Sequence, residues 1–143
     1  MELFATADAH MSPTDLQRFI RIKNLAEWCA SIEKVSAQSG ERGSMSCSWG
    51  EYAVHLEIVR NGIHFTLPGS EDVMQWSITA EPASKNGKVT IHCTVNRAEL
   101  DPAYQQKLQK FVDDWKTGLE NGWSRIKADL DKKPKLECAP WYG

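Results

Sequence analysis

Several features are missing from this sequence. No apolar run approaches the ~18 residues that a membrane-crossing helix needs, and the opening Met1-Glu2-Leu3-Phe4 does not read as a secretory signal. Charge of neither sign dominates: 17 Lys and Arg against 19 Asp and Glu leave a formal −2. That balance gives no global electrostatic drive towards nucleic acid or an anionic membrane surface. The four cysteines, Cys29, Cys47, Cys93 and Cys138, have no zinc-knuckle spacing. Without a secretory signal they are expected as reduced, buried thiols rather than as two disulfides. There is no internal repeat and no low-complexity block. A cytoplasmic protein with no nucleic-acid partner and no membrane span is therefore expected.

What is present is an ordinary globular composition: 143 residues, 41% hydrophobic and 25% charged. A chain of this length makes one domain and buries roughly two-thirds of its unfolded surface without a metal or disulfide staple.

Glu2–Ala7 reads as a strand. Ser12 as N-cap and Pro13 at the first helical position then open a helix, with Leu16, Phe19 and Ile20 on one face. Asn24 is expected to cap a second helix with Leu25, Trp28, Cys29 and Ile32 on its apolar face, followed by a short strand near Lys34–Ser39. From Ser44 the hydrophobic period changes from 3.6 to 2. Met45-Cys47-Trp49, Val54-Leu56-Ile58, Ile63-Phe65-Leu67, Met74-Trp76-Ile78 and Val89-Ile91-Cys93-Val95 each alternate with more polar neighbours, as half-buried antiparallel strands do.

Two-residue turns at Gly50-Glu51 and Asn61-Gly62 would pair Cys47 with Val54 and Ile58 with Phe65. Longer loops at Pro68–Val73 and Glu81–Lys88 set Phe65 opposite Trp76, and Trp76 opposite Cys93. These registers keep the apolar set on one face. Its cover is a long helix from about Asp101 to Asp131, with Leu108, Phe111, Val112, Trp115, Leu119, Trp123, Ile126 and Leu130 on one stripe. Gly118 and Gly122 interrupt that stripe, at ~1 kcal/mol each relative to Ala. Either a backbone approaches closely there or space is being left. Residues 132–143, with Pro134 and Pro140, read as an irregular tail in which Trp141 and Tyr142 could dock on the body.

This order of elements resembles the START-like (SRPBCC) helix-grip superfamily, an α+β fold whose curved antiparallel sheet wraps a long C-terminal helix. Within it the residues resemble the branch of activators of the ninety-kilodalton heat-shock protein ATPase and their small bacterial relatives. The likeness rests on Ser12-Pro13 before the first helix, Trp28 closing Leu25-Ala26-Glu27-Trp28, and Gly122-Trp123 opening the last amphipathic turn. It spans residues 1–131, which would form the helix-grip domain. Relatives of this fold often hold lipids, polyketides or other apolar molecules between sheet and helix. The branch implies a chaperone as partner.

The residues themselves point to binding rather than catalysis. The inward positions Met45, Cys47, Trp49, Leu56, Phe65, Trp76, Cys93, Trp115 and Leu119 offer stacking faces, sulfurs and indole N–H groups, without one formal charge. General acid–base catalysis needs a titratable group within reach of the reacting proton, and a cysteine nucleophile needs a neighbouring base or cation. Neither is placed here, so no catalytic residue and no cofactor is assigned. His55 and His64 share the outer face but fall roughly 13 Å apart, too far for one metal. His92 lies on the same polar face and His10 in a loop, so no metal site is assigned. The expected function is a non-catalytic module binding a small apolar molecule or lipid between sheet and helix. The alternatives are a co-chaperone-like interaction domain and a cyclase-like or hydrolase-like enzyme on the same fold.

Overall fold

In the computed structural model, which describes residues 1–47, 49–70, 74–81 and 87–132 and all their side chains but those of residues 38 and 130–132, Ser12 caps the first helix as its position predicts. Its Oγ accepts from the Asp15 N–H (3.1 Å), and its own N–H donates to Asp15 Oδ2 (3.0 Å). This reciprocal box satisfies two donors that a helix start otherwise leaves unpaired. Helix α1 runs Pro13–Phe19, after strand β1 at Glu2–Asp8.

The second helix is shorter than its pattern suggests. After a single 3₁₀ turn at Ile22–Asn24, α2 is one turn, Leu25–Trp28, and Ile32 already begins strand β2 (Ile32–Ser39). The Asn24 side chain does not cap α2. Its Oδ1 accepts from the Arg21 N–H and its Nδ2 donates to the Phe19 carbonyl, both at 2.8 Å, so it closes the turn behind it.

Five further strands follow: β3 (Arg42–Cys47), β4 (Gly50–Val59), β5 (Gly62–Thr66), β6 (Gln75–Ala80) and β7 (Lys88–Thr94). They join β1 and β2 in one antiparallel sheet of order β1-β7-β6-β5-β4-β3-β2. Phe65 stands opposite Trp76, and Trp76 opposite Cys93, as expected. The loop residues 71–73 and 82–86 lie outside the described residues, as do the tail 133–143 and Cys138 within it.

Both short turns fall elsewhere than their glycines suggest. Cys47 pairs with Gly50 and Gly43 with Val54, so the β3–β4 turn is at residues 48–49. Gly50, at φ +153°, leaves room for the Tyr52 ring: a Cβ there would stand 2.8 Å from the hydroxyl, which folds back to donate to the Trp49 carbonyl. Likewise Val59 pairs with Gly62, Leu56 with Phe65 and Ile58 with Ile63, so the β4–β5 turn is Arg60-Asn61. Gly62 is needed inside the sheet, where the Ile78 carbonyl oxygen occupies the place of a Cβ. Gln17 of α1 ties down this hairpin, its Nε2 donating to the Val59 and Gly62 carbonyls at 2.8 and 3.3 Å. Ile58, read as inward, is 47% exposed. Helix α1 covers β5 and β6 rather than β4, which leaves that end of β4 open.

Helix α3, Pro102–Lys132, packs against β1, β7 and α2. Leu108, Phe111, Val112, Trp115 and Leu119 are buried along it, while Trp123 and Ile126 are half-buried. Glu120 fastens it to the end of β1, accepting from the Asp8 N–H at 2.7 Å and from Lys116 Nζ at 3.0 Å. The two glycines serve close approach, and what approaches is α2. The Trp28 carbonyl oxygen occupies the Cβ position of residue 118, and the Trp28 ring would lie 2.9 Å from a Cβ at 122.

Gly118→Ala therefore sets a helix-propensity gain of ~1 kcal/mol against overpacking on an immobile backbone atom, which costs about 3 kcal/mol or more. Urea titration should show net destabilisation of about 2 kcal/mol or more, with Gly40→Ala, which meets open space, near neutral.

Candidate functional site

Alternation along the strands and the 3.6 period of α3 aim the aromatic residues of both into one interior. The rings of Phe65 and Trp76, paired across β5 and β6, stack with centroids 4.9 Å apart and planes 18° from parallel. From the helix, Phe111 meets Trp76 edge-on at 4.9 Å and 83°. Trp115 lies 6.1 Å from Phe65 and 6.4 Å from Trp76. These are the offset and T-shaped geometries that the ring quadrupole favours. Towards the β3–β4 turn the cluster continues to Trp49, 5.8 Å from Phe111, and then to Tyr104 at 6.3 Å from Trp49.

Met45, Cys47, Leu56, Phe65, Trp76, Cys93, Trp115 and Leu119 are all buried, and Trp49 is half-buried. Ring contacts join Trp49, Phe65, Trp76 and Trp115, and Cys93 stands opposite Trp76 in the ladder. Phe111 is the ring that links the strand side of the cluster to its outer end. Tyr104 was not singled out by the sequence reading, although it precedes Leu108 and Phe111 at spacings of four and three, on their own stripe.

The interior is uncharged. Among the described residues the buried polar side chain is Ser31, which donates to Asp114 Oδ2 at 2.5 Å, and that carboxylate also pairs with Lys110 at 2.7 Å. Cys29, Cys47 and Cys93 are buried and unpaired. Burial pushes Cys93 up to about 12 with no opposing influence, and drives Cys29 to about 12 despite hydrogen bonds from the Ser31 and Ile32 backbone. Cys47 is raised by burial as well. None is poised as a thiolate nucleophile. Three donors stand out: Nε1 of Trp76, Trp115 and Trp123 are buried without a hydrogen-bond partner.

The histidines lie apart from this interior, in registers other than those expected. His64 pairs with Glu57 rather than Val59, and His55 with Thr66 rather than Pro68. His64 Nε2 bonds Gln75 Oε1 at 2.9 Å. His92 stacks on Phe4 at 4.3 Å and bonds Glu2 Oε1 at 2.9 Å. Among the described residues no group of three His, Cys, Asp or Glu is placed to hold a metal, and no helix is long and apolar enough to cross a membrane. A separate groove of about 260 Å³ runs between α2 and the end of α3, lined by Asn24, Glu27, Trp28, Gly122, Arg125, Ile126 and Asp129.

No family model matches the sequence, and no curated protein does. Solved structures do match. A START superfamily protein from Mycobacterium smegmatis superposes with a TM-score of 0.61 at 10% identity, over 87% of this chain and 98% of that one. The protein XoxI from Bacillus cereus gives 0.61 at 11%, over 88% and 97%. An uncharacterised protein from Bacillus thuringiensis gives 0.60 at 11%, over 86% and 98%. The chain has the START-like helix-grip fold. At such identities the likeness is one of architecture, and it covers nearly all of each matched chain. In helix-grip terms the aromatic cluster occupies the space between the gripping sheet and the gripped helix.

Two outcomes follow from this packing. Trp115→Ala should cost about 3–5 kcal/mol, the range for a large buried aromatic. Trp123→Ala, at a half-buried ring that leans on Phe19 (5.6 Å), should cost about half as much, and paired urea titrations read both values. The buried thiols also fix a pH dependence. Above the ordinary value of 9.0 the unfolded chain sheds the Cys29 and Cys93 protons while the folded chain keeps them up to about 12. Stability should fall between pH 9 and 12 by about 1.4 kcal/mol per pH unit for each thiol. Cys93→Ala should shallow that slope by one proton.

Proposed function

We infer that this helix grip is a binding module, taking a small apolar molecule between the sheet and α3. The observation that carries the reading is the composition of that interior: stacking aromatic faces and buried sulfurs, with no buried charged side chain among the described residues. An apolar, concave space with few polar groups is the ordinary setting of a small-molecule site. Met45, Cys47, Trp49, Leu56, Phe65, Trp76, Cys93, Trp115 and Leu119 are the proposed lining. Trp49, in the β3–β4 turn, and Tyr104, in the first turn of α3, are half-buried and meet edge-on. Entry between them needs the fewest packed rings to part.

Recognition in such a site works by shape and dispersion. A carboxylate or ammonium carried inside would be unpaired, at a cost of several kcal/mol, so a charged head group stays at the mouth. Native mass spectrometry of freshly purified protein should find a small molecule retained. Calorimetry with that molecule should show a negative heat-capacity change and nearly equal affinity at low and high salt. A steep loss of affinity with salt, or a heat-capacity change near zero, would overturn the reading.

The second reading, a co-chaperone-like domain, draws on Ser12-Pro13, Trp28 and Gly122-Trp123. Here those residues serve packing: Ser12 caps α1, and Trp28 lies over Gly118 and Gly122. They support the architecture of that branch and leave a partner surface unspecified. Stimulation of the ninety-kilodalton chaperone's ATPase by the full chain is the direct test.

A further inference from the structure

Most buried donors in proteins have an acceptor, so each one that lacks it calls for a reason. Two of the three orphan indole groups belong to the same cluster. Trp76 is 1% exposed and Trp115 fully buried, their centroids are 6.4 Å apart, and the Nε1 atom of each is buried without a partner. The third, Trp123, is half-buried beside Phe19, outside that cluster. Phenylalanine would fill the same space without a donor in need of an acceptor. An indole has one N–H and nothing that accepts, so the group that answers it must carry a lone pair. The described interior supplies no carboxylate, and an incoming anion would find no cation.

We propose that Trp76 and Trp115 are the ligand-reading donors of the grip, and that its ligand is an apolar molecule carrying an uncharged oxygen acceptor, such as a ketone, rather than a plain hydrocarbon. This rests on the binding-module reading above and narrows it. The apolar bulk answers the stacking faces, and the oxygen answers the N–H groups. Specificity follows from the asymmetry of hydrogen bonding: a ligand without the oxygen leaves the buried donors unpaired.

The probes are 9-fluorenone and fluorene, flat aromatics of nearly equal shape that differ by one carbonyl oxygen, with 2-undecanone and undecane as a flexible pair. Indole ¹H–¹⁵N spectra of the full chain, with the six tryptophan signals assigned, read the donors directly. The ketones should move the Trp76 and Trp115 N–H protons downfield, and the hydrocarbons should not. Ketone affinity should exceed hydrocarbon affinity by about tenfold, the scale of one buried hydrogen bond. Trp76→Phe and Trp115→Phe should shrink that preference to within about twofold, while Trp123→Phe leaves it intact. If a variant fails to fold, the wild-type shifts still decide. Equal binding of ketone and hydrocarbon without a downfield shift would overturn the proposal, with the donors answered by ring faces or water, and would leave the module standing. Binding of neither pair would overturn the module reading and this inference with it.

Discussion

The Trp28 carbonyl lies where a side chain would begin on residue 118, and helix α3 can take its position only because that residue is glycine. The lie of the helix follows from this contact. With residues 118 and 122 pressed against α2, the preceding turns carry Leu108, Phe111, Val112 and Trp115 into the sheet, and Glu120 is brought to the end of β1. Two glycines inside a helix are unfavourable by propensity, so the packing of the Trp28 ring and the burial it permits must outweigh them. The aromatic interior depends on that docking: rings 4.9 to 6.4 Å apart come half from the strands and half from the helix.

The sequence revealed parity more readily than register. A period of two states which residues share a face, and any even slip keeps them there. The β3–β4 register differs from the expected one by an even step, with Met45 opposite Tyr52 instead of Leu56, so Met45, Cys47 and Leu56 are still buried. The glycines misled because they were read only as turn formers. Gly50 accommodates the Tyr52 ring, and Gly62 accommodates the Ile78 carbonyl of a strand sixteen residues later. Neither neighbour can be named from local sequence. The same holds for Gly118 and Gly122, whose partner lies some ninety residues earlier. Ile58 was misplaced because alternation says nothing about where the helical cover stops.

The candidate site was legible in its chemistry and not in its detail. That the interior would be aromatic and uncharged follows from the inward positions alone. That Phe111 would join the strand rings to Trp49, and that two indole nitrogens would end without acceptors, depends on the angles at which rings meet. No periodicity encodes those angles. Tyr104 lies on the stripe that the helix pattern defines, one turn earlier than the pattern was followed.

The strand order has a consequence for how the chain is made. Strand β1 closes the sheet by pairing with β7, Glu2 opposite Thr94, and the helix that covers the concave face comes after both. Nearly every contact that completes the fold is therefore distant in sequence, which slows folding because loop closure precedes its reward. On a ribosome, β2 to β6 emerge with their greasy side bare while β1 waits for its partner. The apolar face stays open until about residue 119 has left the exit tunnel, and over that interval the nascent chain is most exposed to aggregation and to chaperones.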